Sequence, residues 1–142
     1  MRRLLCGSTF LAGVLALSGC FGMLKEAQDN SLNLATALHK QMTAGDLAGI
    51  YNNADENYRR SMTRERSDAL FSAIARKLGA PLDCKPGGIN VNVNTLGTTL
   101  HSHCETHFSK NATGDESFIW LRSGGQYRLV SYHVSSQELI ER

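Results

Sequence analysis

Ile89-Asn90-Val91-Asn92-Val93-Asn94 decides the architecture. β-branched and amide side chains alternate there without a fault. Successive strand residues point to opposite faces, so this pattern predicts a strand with a buried Ile/Val face and a wet Asn face. Downstream, a turn over 95–98 leads into a second strand over 99–108, and a looser turn over 110–115 into a third strand over 116–122. Gly124-Gly125, suited to the positive φ angles of a two-residue hairpin, joins that strand to a fourth over 126–134. Upstream of Pro81 the period is helical. Leu34, Ala35, Leu38 and Met42 share one face of a helix over 31–43, which Gly45 ends. Asp46 caps a short second helix carrying Leu47, Ile50 and Tyr51. Thr63 caps a third, whose Leu70, Phe71, Ile74 and Leu78 form a stripe before Gly79 and Pro81 stop it. A last short turn is expected over 137–142. Helices followed by a meander make an α+β fold, with N-terminal helices packed on a curved four-stranded antiparallel sheet.

That order, with Lys77-Leu78-Gly79 after the third helix and Leu129-Val130-Ser131-Tyr132-His133-Val134-Ser135 near the end, resembles the cone-shaped nuclear transport factor two-like superfamily. More narrowly it resembles small secreted bacterial proteins within it, over roughly residues 34–139. The resemblance implies a curved sheet that wraps helices and leaves room for a pocket.

The N-terminus carries a second signal. Arg2 and Arg3 precede a largely apolar run over 4–17, too short to cross ~30 Å of hydrocarbon as a stable helix. A charged start, a short apolar stretch and small residues describe a secretory leader. Leu17-Ser18-Gly19-Cys20 closes it and resembles the lipobox of bacterial lipoproteins. In that family the bond corresponding to Gly19–Cys20 is cut, the cysteine gains a diacylglyceryl thioether, and the new N-terminus is acylated. The resulting organisation is a signal peptide over 1–19, a lipidated tether over 20–30 and a single α+β domain over 31–142. Phe21 stands where an Asp would favour inner-membrane retention, so the resemblance implies the inner leaflet of the outer membrane, facing the periplasm.

Charge gives no support to nucleic-acid binding. The full chain of 142 residues has 15 Lys plus Arg and 13 Asp plus Glu. Losing Arg2 and Arg3 with the leader brings the mature net charge to zero. Arg59-Arg60 follows an uncharged tyrosine, and mixed signs follow at Arg64, Glu65 and Arg66. That is a solvated helix face and no phosphate-tracking surface.

The four cysteines sort by place. Cys6 leaves with the leader and Cys20 takes the lipid, leaving Cys84 and Cys104. An exported chain seldom keeps two idle thiols, so these are expected to form a disulfide. A redox-active pair usually comes as C-x-x-C near a helix start, and these two are too far apart for that.

One segment holds candidate chemistry: Leu100-His101-Ser102-His103-Cys104-Glu105-Thr106-His107-Phe108. Alternation puts His101, His103, Glu105 and His107 on one face. Imidazoles beside a carboxylate can ligate Zn or Cu, which makes His101, His103 and His107 a candidate metal set. Strand residues two apart lie ~7 Å apart, so only an adjacent pair can share one ion. If Thr95 pairs with Thr98, Val93 opposes Leu100, Val91 opposes Ser102 and Ile89 opposes Cys104. The histidines then lie beside Asn90 and Asn92 on the polar face, where solvent-facing histidines are the preferred reading. Two-residue register at Gly124-Gly125 would set Glu116 opposite His133, a candidate acid/base pair or cross-strand salt bridge. The same register puts Phe118, Trp120, Tyr127 and Leu129 on one face and Ile119, Leu121, Val130 and Tyr132 on the other. G-x-S-x-G, the P-loop, H-E-x-x-H and G-x-G-x-x-G are absent. The expectation is a lipid-anchored, non-enzymatic module with no cofactor, binding an envelope protein or an apolar ligand. A cone-fold enzyme using Glu116 and His133 or the strand histidines is the alternative.

Overall fold

The computed structural model describes residues 18–140. The leader through residue 17 lies outside the described residues, as do the side chains of residues 18–21, including the thiol of Cys20. The element order is α1 (Ser18–Ala44), α2 (Leu47–Asn53), α3 (Glu56–Ser61), α4 (Arg64–Lys77), β1 (Lys85–Asn94), β2 (Gly97–Phe108), β3 (Ala112–Ser123), β4 (Gln126–Ser135) and α5 (Gln137–Ile140). Among the described residues five helices, mostly N-terminal, pack on an open, curved antiparallel sheet of order β1-β2-β3-β4.

The helix ends follow the capping residues. Asp46 accepts from the Gly49 amide and Thr63 from the Arg66 amide, each satisfying an orphan N–H of the first turn. Asp55 does the same for Asn57 and starts α3, a single short helix that the apolar pattern does not announce. The Asp55 amide donates to the Leu129 carbonyl, tying this junction to the edge strand β4. Helix α1 begins well before residue 31, and residues 22–30 are helical where a tether running into the helix was expected. Ala27, Ser31, Ala35, Leu38 and His39 form its inward stripe.

The described helices lie on one face of the sheet. The core joins Ala35, Leu38, Ile50, Phe71, Ile74 and Leu78 to Leu100, Phe108, Phe118, Trp120, Leu129 and Tyr132. Alternation holds through β2 and β3, so the even-numbered residues from Leu100 to Phe108 and from Ala112 to Trp120 point inward. Among the described residues the opposite face carries no helix and is largely wet.

Two registers differ from expectation. Asn94 pairs with Gly97, Val93 with Thr98 and Val91 with Leu100, two residues from the expected pairing. A shift of two preserves every side chain's face, so Leu100, Cys104 and Phe108 still point inward. Because β1 is an edge strand, Ile89 and Val91 are only half-buried and Val93 is exposed. Gly97 has φ +134°, and a Cβ there would stand 2.1 Å from the Arg122 carbonyl oxygen. The second difference changes faces. Ile119 pairs with Ser131 but Trp120 pairs with Leu129, so Val130 is the extra residue of a β-bulge. Leu129 and Tyr132 therefore both point inward, three positions apart, and Tyr132 does not share a face with Ile119.

Candidate functional site

The bulge at Val130 separates Glu116 from His133. Glu116 pairs with Val134 and His133 with Ser117, so Glu116 enters the core while His133 lies exposed on the outer face. These two residues form no acid/base pair in this structure.

Glu116 instead sits at the centre of a buried polar cluster. Its Oε1 accepts from the Tyr132 hydroxyl at 2.6 Å. Its Oε2 accepts from the Thr106 hydroxyl at 2.5 Å and meets His39 Nε2 at 2.7 Å. A carboxylate is acceptor-only, and all three neighbours are able to donate. The Glu116 side chain has 0% exposure and that of His39 9%, so the carboxylate is sealed and the imidazole barely reaches the surface. Burial, then the charge and hydrogen bond of Glu116, push the Tyr132 hydroxyl well above the usual phenol range and keep it a donor. Aromatic rings wall the cluster. Phe118 lies 5.5 Å from Tyr132 and 6.3 Å from His39 between ring centroids, and Phe71 lies 5.2 Å from Tyr132. A second buried pair, Tyr58 to Ser67 at 2.9 Å, joins α3 to α4, and burial raises the Tyr58 hydroxyl as well.

The sequence held a usable sign of this cluster. His39 stands one position after Leu38 and four after Ala35, inside the apolar stripe of α1, where a titratable group needs a partner. Thr106 and Glu116 share the inward parity of β2 and β3. Only Tyr132 required the bulge.

His39 also borders a cleft of about 440 Å³ between the C-terminal half of α1 and the segment 81–84, together with Thr36, Lys40, Thr43, Leu82 and Asp83. Asp83 faces outward and accepts from the His107 amide at 3.0 Å, while His107 Nδ1 lies 2.9 Å from its other oxygen. The His107 backbone N–H, then its side chain, hold the Asp83 carboxyl below the usual carboxylate range.

The outer face holds the strand histidines. His103, Glu105, His107 and His133 are exposed and His101 is half-buried, all pointing away from the core. His103, Glu105, Asp115, Ser117 and His133 line a shallow hollow of about 430 Å³ with Lys85 and Gly87. Among the described residues no group of three or more His, Cys, Asp or Glu is placed to hold a metal ion. His101, His103 and His107 lie in file along one strand, and His107 is engaged by Asp83. Cys84 and Cys104 are joined in a disulfide that ties the start of β1 to the middle of β2, with Cα atoms 5.1 Å apart.

No family model and no curated protein matches the chain. Among solved structures it is similar to Aln2 from a Streptomyces species, at 13% identity and a TM-score of 0.45 over 89% of this chain and 97% of that one. A likeness of that degree carries no argument about activity.

Proposed function

We propose that the chain is a lipid-anchored module of a bacterial envelope, held by Cys20 and facing the periplasm, that binds a protein partner through the open outer face of its sheet. The observation that carries this reading is Leu17-Ser18-Gly19-Cys20 overlapping the start of α1, so that the residue to be lipidated stands in the first turn of the helix on which the domain is built. The Cys84–Cys104 disulfide suits an oxidising compartment. The sealed state of Glu116 favours binding over catalysis, because a substrate has no route to a carboxylate whose three neighbours already occupy it. An outer face that presents His103, Glu105 and His133 around half-buried Ile119 and Val130 offers polar contacts around a small apolar centre, as interfaces do.

Two labels test the reading. Palmitate supplied to cells should enter the wild-type chain and not the Cys20→Ser variant; equal labelling of both would overturn the anchor. A photo-crosslinker at the exposed Ser131 should give one discrete adduct in intact cells. If it gives no more than a crosslinker at the exposed Ser72 of α4, the partner-binding face is wrong.

One observation favours an enzymatic alternative: His39 joins the buried Glu116 to the 440 Å³ cleft. A carboxylate that orients an imidazole toward a cleft is an acid/base arrangement. On that reading His39, and not His133, would act as the base, and His39→Gln would abolish turnover while leaving partner crosslinking intact.

A further inference from the structure

The N-terminal end of the fold has an apolar rim that no described residue covers. Met23 and Leu24 lie four and three positions before Ala27, so they continue the inward stripe of α1 past the edge of the sheet. They are 63% and 55% exposed. The β1–β2 hairpin ends beside them, and its Val93 and Leu96 are 67% and 75% exposed. Met23 and Val93 line one hollow with Ala27 and Arg122, so the helix and the hairpin form one continuous surface. Scattered exposed apolar residues are ordinary, whereas Met23 and Val93 share one hollow, with Leu24 next to Met23 in α1 and Leu96 in the same hairpin as Val93, and such a grouping marks a contact site.

The helical state of residues 22–30 supplies the occupant. Ala27 is already part of the core, and it lies seven residues from Cys20, about 10 Å along a helix rising 1.5 Å per residue. A lipidated Cys20 is therefore followed by no slack, and a bilayer that holds its acyl chains must pass close to the rim. Charge fits the same surface. Residues 91–98 carry no charge, and residues 121–128 carry Arg122 and Arg128 with no acid. Lys25, Glu26 and Asp29 on the adjoining turns leave three cations against two carboxylates, a bias toward anionic headgroups.

We infer that this end of the domain is a membrane-seating surface: Met23, Leu24, Val93 and Leu96 enter the interfacial layer of the bilayer that holds Cys20, with Arg122 and Arg128 at its headgroups. The inference rests on the lipid anchor proposed above. It adds a fixed orientation, with both hairpin tips toward the lipid and the outer sheet face standing roughly upright in the periplasm.

The test is amide hydrogen exchange on the lipidated, disulfide-intact protein in protein-free vesicles of phosphatidylethanolamine and phosphatidylglycerol, with intact mass read on the same sample. Amides over 93–98 should exchange about tenfold or more slowly than in the lipid-free Cys20→Ser variant, as expected when one or two large apolar side chains leave water. Val93→Asp and Leu96→Asp, both at exposed positions, should remove the slowing while leaving exchange over 100–108 unchanged. Equal rates over 93–98 with lipid mass present on Cys20 would overturn the seating and leave the anchor standing. Absence of lipid mass would overturn the anchor and the seating with it. Slowing seen only in native membranes would assign this end to a protein and contradict the inference.

Discussion

Removing the Tyr132 hydroxyl tests the interior most sharply. Tyr132→Phe keeps the ring that packs on Phe71 and Phe118 and removes the donor to Glu116 Oε1 at 2.6 Å. Hydrogen bonds to carboxylates contribute about 1.5–3 kcal/mol, and a buried acceptor left unmatched costs its full desolvation. The remaining neighbours, Thr106 and His39, both lie at Oε2, so neither replaces the lost donor without moving. The expected loss is about 2 kcal/mol, seen as a lower urea midpoint with unchanged slope and a melting temperature about 6–10 °C lower. Urea titration followed by circular dichroism on the oxidised protein measures it. Because Thr106 and Tyr132 share one carboxylate, Thr106→Val and the double variant should show a coupling above about 0.5 kcal/mol. A Tyr132→Phe loss below about 0.5 kcal/mol would refute the sealed three-neighbour cluster.

Other consequences are as specific. Reducing the disulfide, or replacing Cys84 and Cys104 by Ser, opens a loop with a sequence separation of 20 and should cost about 3 kcal/mol by denaturant titration. Tyr132 and Tyr58 have raised folded-state values, so their contribution to stability is complete below the unfolded phenol value near 10 and is lost as pH rises through the folded values. In an alkaline titration their phenolate absorbance should appear only together with loss of helical signal; ionisation in the intact fold would contradict the burial. Gly97→Ala should cost about 2 kcal/mol or more, since the left-handed φ and the Arg122 carbonyl both oppose a Cβ. Its melting curve would show no change if the hairpin could relax freely.

The fold was legible where a local rule and the global packing agree. Thr63 and Asp46 cap their helices as the sequence predicts, and the Ile89–Asn94 alternation sets the correct faces even though the pairing differs by two. Residues 22–30 were harder to read. Their stripe is small and short, and its continuation becomes visible only when Ala27 meets the hollow beside β1. The bulge at Val130 left no mark, because Leu129-Val130-Ser131-Tyr132 reads equally well as a regular strand. That one extra residue turned Tyr132 inward and sent His133 away from Glu116, so the candidate acid/base pair dissolved and a different cluster took its place. The strand histidines lie on the wet face as expected, because the register differs by two and a shift of two keeps every side chain on its face.

The proposed function depends on a domain held to a bilayer through Cys20. Intact-mass measurement of the protein extracted from the membranes of its own cells tests this most directly, with the Cys84–Cys104 bridge left unreduced. The mature chain should begin at Cys20 and carry diacylglyceryl and acyl mass on that residue. A chain cleaved elsewhere, or one that begins at Cys20 without lipid, would contradict it.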